Sequence, residues 1–238
     1  MKKTPGTTNH GIGVILKAAQ FAAHKHRYQK RKDKNKTPYI NHPLEVARVL
    51  NEEGGVADLG ILAAALLHDT IEDTETTYDD LRGQFGARIA NIVIEVTDTK
   101  FLGKQTRKQL QAVKAGHASA AGQQIKIADK ICNLRDILGS PPVDWTLERK
   151  QKYFDDAKLV VDEVRDANPA LAGRFDRLYA HWTRRDPVNA GAPRSARKPR
   201  GGKSRPVQLK PGSKQMTFQE IAKVIQEALG KAHSSRAP

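Results

Sequence analysis

The chain is poor in cysteine and in long apolar runs, and both shortages limit what it can be. Cys132 is the single cysteine among 238 residues, which excludes an intramolecular disulfide and fits a reducing compartment. No segment approaches the roughly 20 consecutive apolar residues that a transmembrane helix needs. The first residues, MKKTPGTTNHG, have two lysines but no apolar segment behind them, so they do not resemble a signal peptide. We therefore expect a soluble cytoplasmic protein with no membrane partner.

Acidic residues are scarce toward the C-terminus. The formal net charge is +15, and Arg184 to Lys214 hold ten basic residues against the single Asp186. Such a charge favours polyanionic partners. Residues 185–214 are rich in Pro, Gly and Ser and nearly free of apolar residues, which predicts a disordered basic linker. Nucleic acid or a ribosome is expected as a partner only through this basic tail. No aromatic residues interleave there to stack on bases, so such binding is expected only as an accessory role.

Alternation of apolar and polar residues, the pattern of a half-buried strand, is also missing. Apolar residues recur instead at helical spacing, as in segments 12–25, 59–67, 125–138 and 145–164. Thr77 and Asn168 have the residue types and neighbours of helix N-caps. The sequence therefore predicts an all-α fold, with one globular domain of about nine or ten helices over residues 1–184.

A last amphipathic helix is predicted in residues 215–238. Its apolar face comprises Phe218, Ile221, Val224, Ile225 and Ala228. A single helix beyond a flexible linker cannot bury such a face alone. We expect it to dock on the globular domain, on a second copy in a homo-oligomer, or on another partner. Membrane binding is disfavoured, because its polar face mixes acids with bases.

One stretch combines an apolar half with a cluster of polar groups. Leu59 to Leu67 are almost all apolar, and His68, Asp69, Glu72 and Asp73 follow at once. Residues four apart share a face of a helix, so a continuous helix would place His68 beside Glu72 and Asp69 beside Asp73. Buried charges must be paired or bind a metal. The pattern indicates a metal or catalytic site, and the alternative is a solvated helix end.

Two further residues have the chemistry of metal ligands. His42 lies at the start of a predicted helix, and Asp129 lies within the otherwise apolar helix 125–138. With His68 and Asp69 they supply two imidazoles and two carboxylates, a set that favours Mn, Fe, Zn or a similar ion over Ca or Mg. Taken singly, Asp129 is equally compatible with an ion pair to an arginine, and His42 with a capped core histidine.

The order of these residues, a histidine, then a His-Asp pair, then an aspartate, resembles that of the HD phosphohydrolase superfamily. The surrounding motifs, which also follow in order, are YINHP, AALLHDTIEDT, FG, VTD, RKQLQ and IKIADKICNLRD. These motifs are similar to the hydrolase domain of RelA/SpoT-type alarmone enzymes. They resemble even more closely the stand-alone small alarmone hydrolases of the metazoan SpoT homologue type. The resemblance covers residues 18–168, which is most of the predicted globular domain.

The resemblance implies an activity, a metal and a set of roles. In that family Mn²⁺ supports removal of pyrophosphate from the ribose 3′ position of guanosine tetra- or pentaphosphate (ppGpp and pppGpp). Matched position by position, the metal ligands are His42, His68, Asp69 and Asp129. Glu72 and Asp73 orient and deprotonate the attacking water, which agrees with general metal-assisted hydrolysis.

The resemblance also implies substrate contacts. Arg31 and Lys32 match a pair that contacts the guanine face and the phosphates, where a planar guanidinium suits stacking and an ammonium suits a phosphate. Asn133 matches a nucleoside-contacting residue. Lys104, Arg149 and Tyr153 match positions that hold the distal phosphates. For these last three the alternative is a solvated surface, where Lys and Arg mostly lie.

Two features separate this chain from the families it resembles. RelA/SpoT enzymes have a synthetase domain after the hydrolase, whereas the residues after Arg184 are too few and too polar to form one, so we expect no synthetase activity. The basic tail and last helix have no counterpart that we can place in the stand-alone family.

Two other hypotheses on function stay open. A second hypothesis keeps the fold and metal but changes the substrate to another phosphorylated nucleotide such as NADPH. A third makes the chain a nucleic-acid or ribosome-associated binder through its tail.

Overall fold

Helices form the regular structure of the protein, as the sequence predicts. The computed structural model describes residues 8–98 and 104–185, and within these ranges there is no strand. The α-helices are α1 (Thr8–Lys25), α2 (Asn41–Arg48), α3 (Leu59–Leu67), α4 (Thr70–Asp73), α5 (Tyr78–Phe85), α6 (Ala87–Val96), α7 (Lys104–His117), α8 (Ala120–Gly139), α9 (Leu147–Val164) and α10 (Pro169–Arg185). A π-helical turn, Val49–Glu53, extends α2, and a 3-10 turn, Arg165–Ala167, follows α9. The predicted linker and last helix lie outside the described residues.

Helix α8 lies at the centre of the packing. It contacts α2, α3, α6, α7, α9 and α10. Ile125, Ile127, Ile131 and Leu134 on this helix are fully buried. Each such side chain contributes roughly 1.5–3 kcal/mol when it is withdrawn from water. Because α8 is buried along residues 125–132, Lys126, Asp129 and Lys130 on that stretch lie in the protein interior rather than in solvent. No helix in the described ranges is long and apolar enough to span a membrane.

The stretch predicted as one helix from Leu59 to Thr74 is instead interrupted. Helix α3 ends at Leu67 and α4 begins at Thr70, with a turn at His68 and Asp69 between them. Two side chains donate to carbonyls of the last turn of α3: His68 Nδ1 to Ala65 O at 2.8 Å and Thr70 Oγ1 to Leu67 O at 2.7 Å. Side-chain donors of this kind compete with the helical main-chain pattern. His68 and Glu72, and Asp69 and Asp73, therefore do not lie along one continuous helix, which corrects the prediction from the sequence.

Both predicted N-caps are present. Thr77 and Asp80 form a reciprocal capping box at the start of α5. Asn168 caps α10 by accepting from the Leu171 N–H at 3.1 Å. The Asn168 amide also donates to the Gly54 carbonyl at 2.9 Å, which ties the end of the α2 region to α10. This one side chain therefore links elements that are far apart in the chain.

We expect Asn168→Ala to lower the free energy of unfolding by about 2 kcal/mol, because it removes a helix cap and leaves buried main-chain groups unpaired. Chemical denaturation of the purified variant measures this loss. Asn35→Ala, in an exposed loop, is the matched control and should change stability by no more than about 0.5 kcal/mol. Equal stabilities for the two variants would show that Asn168 does not link the helices as described.

Candidate active site

Three predicted ligands converge at the junction of α2, α3 and α4. His42, His68 and Asp69 each offer one ligand atom, and these atoms all lie within 4.8 Å of one another. His68 Nε2 is 3.1 Å from Asp69 Oδ2, and His42 Nε2 is 3.8 Å from the same oxygen. Both histidines are about 5% exposed, so the imidazoles meet in the interior. The helix interruption described above brings His68 and Asp69 to this point together.

Asp129 reaches the same cluster from α8. Its Oδ1 atom lies 3.1 Å from His42 Nε2 and 3.9 Å from His68 Nε2. No arginine among the described side chains pairs with Asp129, and its other oxygen accepts from Lys130 Nζ at 3.1 Å. Two imidazoles and two carboxylates from separate parts of the chain therefore meet in one buried place.

The arrangement of donors fits a divalent transition metal. His68 Nδ1 donates to the Ala65 carbonyl, so Nε2 is the ring atom that faces the cluster and that would bind a metal on losing its proton. That Nε2 atom is buried and has no hydrogen-bond partner among the described residues. Buried polar atoms are normally satisfied, and an orphan of this kind calls for an explanation. Mixed imidazole and carboxylate ligands match the preference of Mn, Fe or Zn.

Hydrogen bonds from neighbouring side chains fix the two carboxylates. Tyr39 Oη donates to Asp69 Oδ2 at 2.6 Å, and Asn133 Nδ2 donates to Asp129 Oδ1 at 2.6 Å. Lys130, itself buried, pairs with the other Asp129 oxygen. Such outer contacts orient metal ligands and tune their basicity.

The charges in the cluster stabilise one another. Burial alone lowers the pKa of His68, but Asp69 and Asp129 outweigh it and raise that pKa to about 9. Burial alone raises the pKa of Asp69 and Asp129, yet nearby His68, His42 and Lys130 hold both below their ordinary value. The two carboxylates are therefore ionised near neutral pH, the form in which they bind cations.

Glu72 and Asp73 lie beside the cluster. Both border a cavity of about 160 Å³ that His42, His68, Asp69 and Asp129 also line. Burial is the largest of the causes that raise the pKa of Glu72 to about 7, and the neighbouring Asp98 carboxylate raises it further. A carboxyl that titrates near neutrality is suited to accept a proton. The predicted catalytic pair is thus placed where an attacking water has room.

A larger cavity of about 590 Å³ adjoins this one, sharing Tyr39, His42, Asp73 and Asn133 with it. The predicted substrate residues that line it are Arg31, Lys32, Asn133 and Tyr153. Arg31 Nη2 donates to Asn133 Oδ1 at 3.1 Å and also pairs with Asp136. A chain of hydrogen bonds therefore runs from Arg31 through Asn133 to Asp129.

Two predicted phosphate contacts stand apart from the others. Arg149 is exposed and does not line the larger cavity; its guanidinium lies 4.6 Å from the ring centroid of Trp145, which does line it. Lys104 begins α7, but its side chain lies outside the described part of the structure. Neither residue is brought into the site by the described contacts, so both roles stay predictions.

Several residues of the site were not singled out from the sequence. They are Tyr39, Asp98, Lys126, Lys130, Asp136 and Trp145. Lys126 and Lys130 flank Asp129 on an otherwise apolar helix, and buried lysines need a charge partner. That spacing was a usable signal. Tyr39, Asp136 and Trp145 have no such signature, because aromatic and acidic residues at loop and helix ends are common on ordinary surfaces.

Comparison with known proteins agrees with this geometry. The HD domain family matches residues 18–152. A Xenopus tropicalis protein named guanosine-3′,5′-bis(diphosphate) 3′-pyrophosphohydrolase MESH1 is 51% identical over 166 residues, which cover 70% of this chain and 93% of that protein. The Homo sapiens protein of the same name is 48% identical over 165 residues, covering 69% and 92%.

A solved structure shows the same likeness in three dimensions. It is described as a metazoan orthologue of SpoT that hydrolyses ppGpp, and it superposes with a TM-score of 0.69 at 41% identity. The match covers 76% of this chain and 98% of that one. The resemblance stated from the motifs is confirmed. The chain belongs to the HD domain family and, within it, to the group of the metazoan SpoT homologues.

Proposed function

We propose that this protein is a Mn²⁺-dependent hydrolase that removes the 3′-pyrophosphate of ppGpp and pppGpp, giving GDP or GTP and pyrophosphate. The observation that carries the proposal is the buried cluster of two imidazoles and two carboxylates, with Glu72 beside it and a cavity of nucleotide size adjoining it. The names of the MESH1 relatives supply the substrate class. We further propose that the protein acts in the turnover of alarmones during the stringent response, and that it does so in the cytoplasm.

His42, His68, Asp69 and Asp129 would hold the metal. A bound divalent ion lowers the pKa of water and stabilises charge at phosphorus during displacement. Glu72 accepts the proton of the attacking water, and Asp73 orients that water from the next position. A new P–O bond forms as the bond between phosphorus and the ribose 3′ oxygen breaks. The 3′ oxygen then takes up a proton, and pyrophosphate leaves.

The larger cavity would bind the nucleoside. Arg31 presents a planar guanidinium held by Asn133 and Asp136, which suits stacking on guanine, and Lys32 supplies a point charge for phosphate. We assign Tyr153, Lys104 and Arg149 to the distal phosphates as part of the same proposal.

We expect Arg31→Ala to raise KM about tenfold or more with a smaller change in kcat. Stacking of a guanidinium on an aromatic ring contributes about 0.5–2 kcal/mol, and its loss here weakens ground-state binding. Steady-state kinetics with ppGpp measures the effect. Arg88→Ala is the matched control, since Arg88 pairs with Asp58 at 2.6 Å on the exposed surface. If KM rose equally in both variants, Arg31 would have no place in the substrate site.

A substrate panel tests the function itself. Purified protein is freed of metal and reloaded with Mn²⁺, Zn²⁺, Fe²⁺ or Mg²⁺. Each metal form is then assayed separately with ppGpp, pppGpp and NADPH as substrates for hydrolysis. GTP and ATP are supplied together to test for alarmone synthesis. The proposal predicts release of GDP and pyrophosphate from ppGpp, best with Mn²⁺, and no alarmone formed from GTP and ATP. Turnover of NADPH with none of ppGpp would favour the alternative substrate, and no turnover with metal confirmed bound would contradict the proposal.

We also propose that residues 1–184 form the hydrolase domain and are sufficient for catalysis. Deleting residues 185–238 should leave kcat and KM for ppGpp unchanged within about twofold, because every residue assigned to the site lies before this boundary. A loss of activity would make the tail part of the site or of the fold. Light scattering and RNA binding of the two forms test the predicted homo-oligomer and nucleic-acid contacts of the tail.

A further inference from the structure

A second polar cluster borders the smaller cavity. It surrounds Thr97 and Asp98, the segment that follows α6. Lys126 Nζ on α8 donates to Asp98 Oδ1 at 3.1 Å, and Gln111 on α7 donates to the other oxygen of that carboxylate. Lys114, also on α7, donates to the Thr97 carbonyl. Three side chains from two helices therefore fix a segment of two residues.

This fixed segment contacts the proposed proton acceptor. The backbone N–H of Asp98 donates to Glu72 Oε2 at 3.0 Å. Among the side chains and main-chain groups that the structure describes, no other hydrogen bond to the Glu72 carboxylate is found. The polar cluster therefore fixes the position of a peptide N–H that orients the Glu72 carboxylate.

A purely structural role explains this cluster poorly. Lys126 is 7% exposed, so its ammonium is held in the interior. A buried ion pair contributes little net stability compared with apolar residues of the same size, because both charges lose their hydration. Apolar contacts would anchor a loop equally well. The pair instead places a cation and an anion close to Glu72, and the two act oppositely on its pKa: Asp98 raises it and Lys126 lowers it.

We propose that Lys126 and Gln111 are positioning residues for Glu72, acting through the Asp98 peptide N–H. The inference rests on the proposed function, in which Glu72 accepts the proton of water. Replacing Lys126 or Gln111 should lower kcat and leave KM nearly unchanged, because a misplaced proton acceptor affects the transition state and not substrate binding. Outer contacts of this kind typically change activity by about 10–100-fold.

A double-mutant cycle tests the proposal. Kinetics with ppGpp and Mn²⁺ are measured for Lys126→Met, Gln111→Leu, Glu72→Gln and both paired combinations with Glu72→Gln. Lys126→Arg tests rescue by a second cationic donor. Lys158→Met is the matched control, because Lys158 pairs with Asp162 at 2.5 Å on a half-buried part of α9, away from the site. Metal content and melting temperature are recorded for every variant.

The expected pattern is specific. Lys126→Met and Gln111→Leu each lower kcat by about 10-fold or more with metal content retained, and Lys126→Arg recovers part of the loss. In the Glu72→Gln background neither substitution has a further effect beyond about twofold, since residues that act through one group are not additive. Lys158→Met behaves as wild type.

Other results separate two failures. Absence of turnover by the wild type would overturn the proposed function, and this inference with it. Wild-type turnover that falls in Glu72→Gln but not in Lys126→Met and Gln111→Leu would overturn the inference alone. Additive losses in the Glu72→Gln background, or losses that follow the melting temperature, would assign the cluster a structural role. Gln111→Leu keeps the test decisive if Lys126→Met does not fold.

Discussion

Replacing His68 by alanine should reduce kcat/KM for ppGpp by about 10³-fold or more. The imidazole is buried, and its Nε2 atom faces both carboxylates of the cluster without a hydrogen-bond partner in the part of the chain that the structure describes. A metal supplies several kcal/mol of transition-state stabilisation, and each 1.36 kcal/mol is a factor of ten in rate. Kinetics with Mn²⁺ in excess, together with the metal content of the protein, measure the loss.

His181→Ala is the control for the His68 variant, because His181 is exposed on α10. It should keep wild-type activity and metal content. A His68→Ala protein that retained both metal and activity would show that His68 is not a ligand of the catalytic metal.

Replacing Glu72 by glutamine should lower kcat by about 10²–10⁴-fold, the range attributed to a general base. The substitution keeps the size of the side chain and an oxygen that can accept from the Asp98 N–H, so binding and folding should be little changed. Metal content should equal that of the wild type, which separates this variant from His68→Ala. Pre-steady-state or steady-state rates with saturating ppGpp measure the effect.

Glu75→Gln is the matched control three residues away. Glu75 is exposed and pairs with Lys25 at 3.0 Å. It should leave kcat unchanged. A small effect in Glu72→Gln, comparable with this control, would transfer the role of proton acceptor to Asp73 or to another group.

The same carboxyl predicts a pH dependence. Burial and the neighbouring Asp98 raise the pKa of Glu72 to about 7. A general base works only when deprotonated, so kcat should rise with pH through this pKa and level off above it. A bound cation favours the carboxylate form, which moves the midpoint below 7. Glu72→Gln should abolish this acidic limb; its persistence would assign the limb to a different group.

Much of the fold was accessible from the sequence because it depends on local patterns. The apolar faces of α3, α6, α8 and α9 recur at helical spacing, and the caps at Thr77 and Asn168 use short-range hydrogen bonds. The convergence of His42, His68 and Asp129 was not accessible from spacing alone. It followed from the family resemblance, since only the packing of α2 and α3 against α8 brings these residues together.

The local geometry of the site was predicted less well. A continuous helix through His68 and Asp69 was expected, because apolar spacing does not show that side-chain donors take over the carbonyls of its last turn. The contact between the Asp98 N–H and Glu72 is made by the main chain, which leaves no trace in residue type. Arg149 lies on the exposed surface beside Trp145. This location agrees with the alternative that Arg149 is an ordinary solvated surface residue.

These observations support one account of the site. Three segments of the chain bring imidazole and carboxylate ligands into a buried place, and the Asp98 segment, held from α7 and α8, directs the carboxylate of Glu72. The nucleotide cavity adjoins the cluster through Asn133, which contacts both Arg31 and Asp129. The proposed substrate site and the proposed site of water activation therefore share side chains.

The most direct test is calorimetric titration of the metal-free protein with Mn²⁺, followed by activity measurements at each point of the titration. The account predicts one ion per chain, hydrolysis of ppGpp that rises in proportion to occupancy, and loss of this binding in His68→Ala and in Asp129→Ala. Full activity without bound metal, or Mn²⁺ binding that both variants retain unchanged, would contradict it.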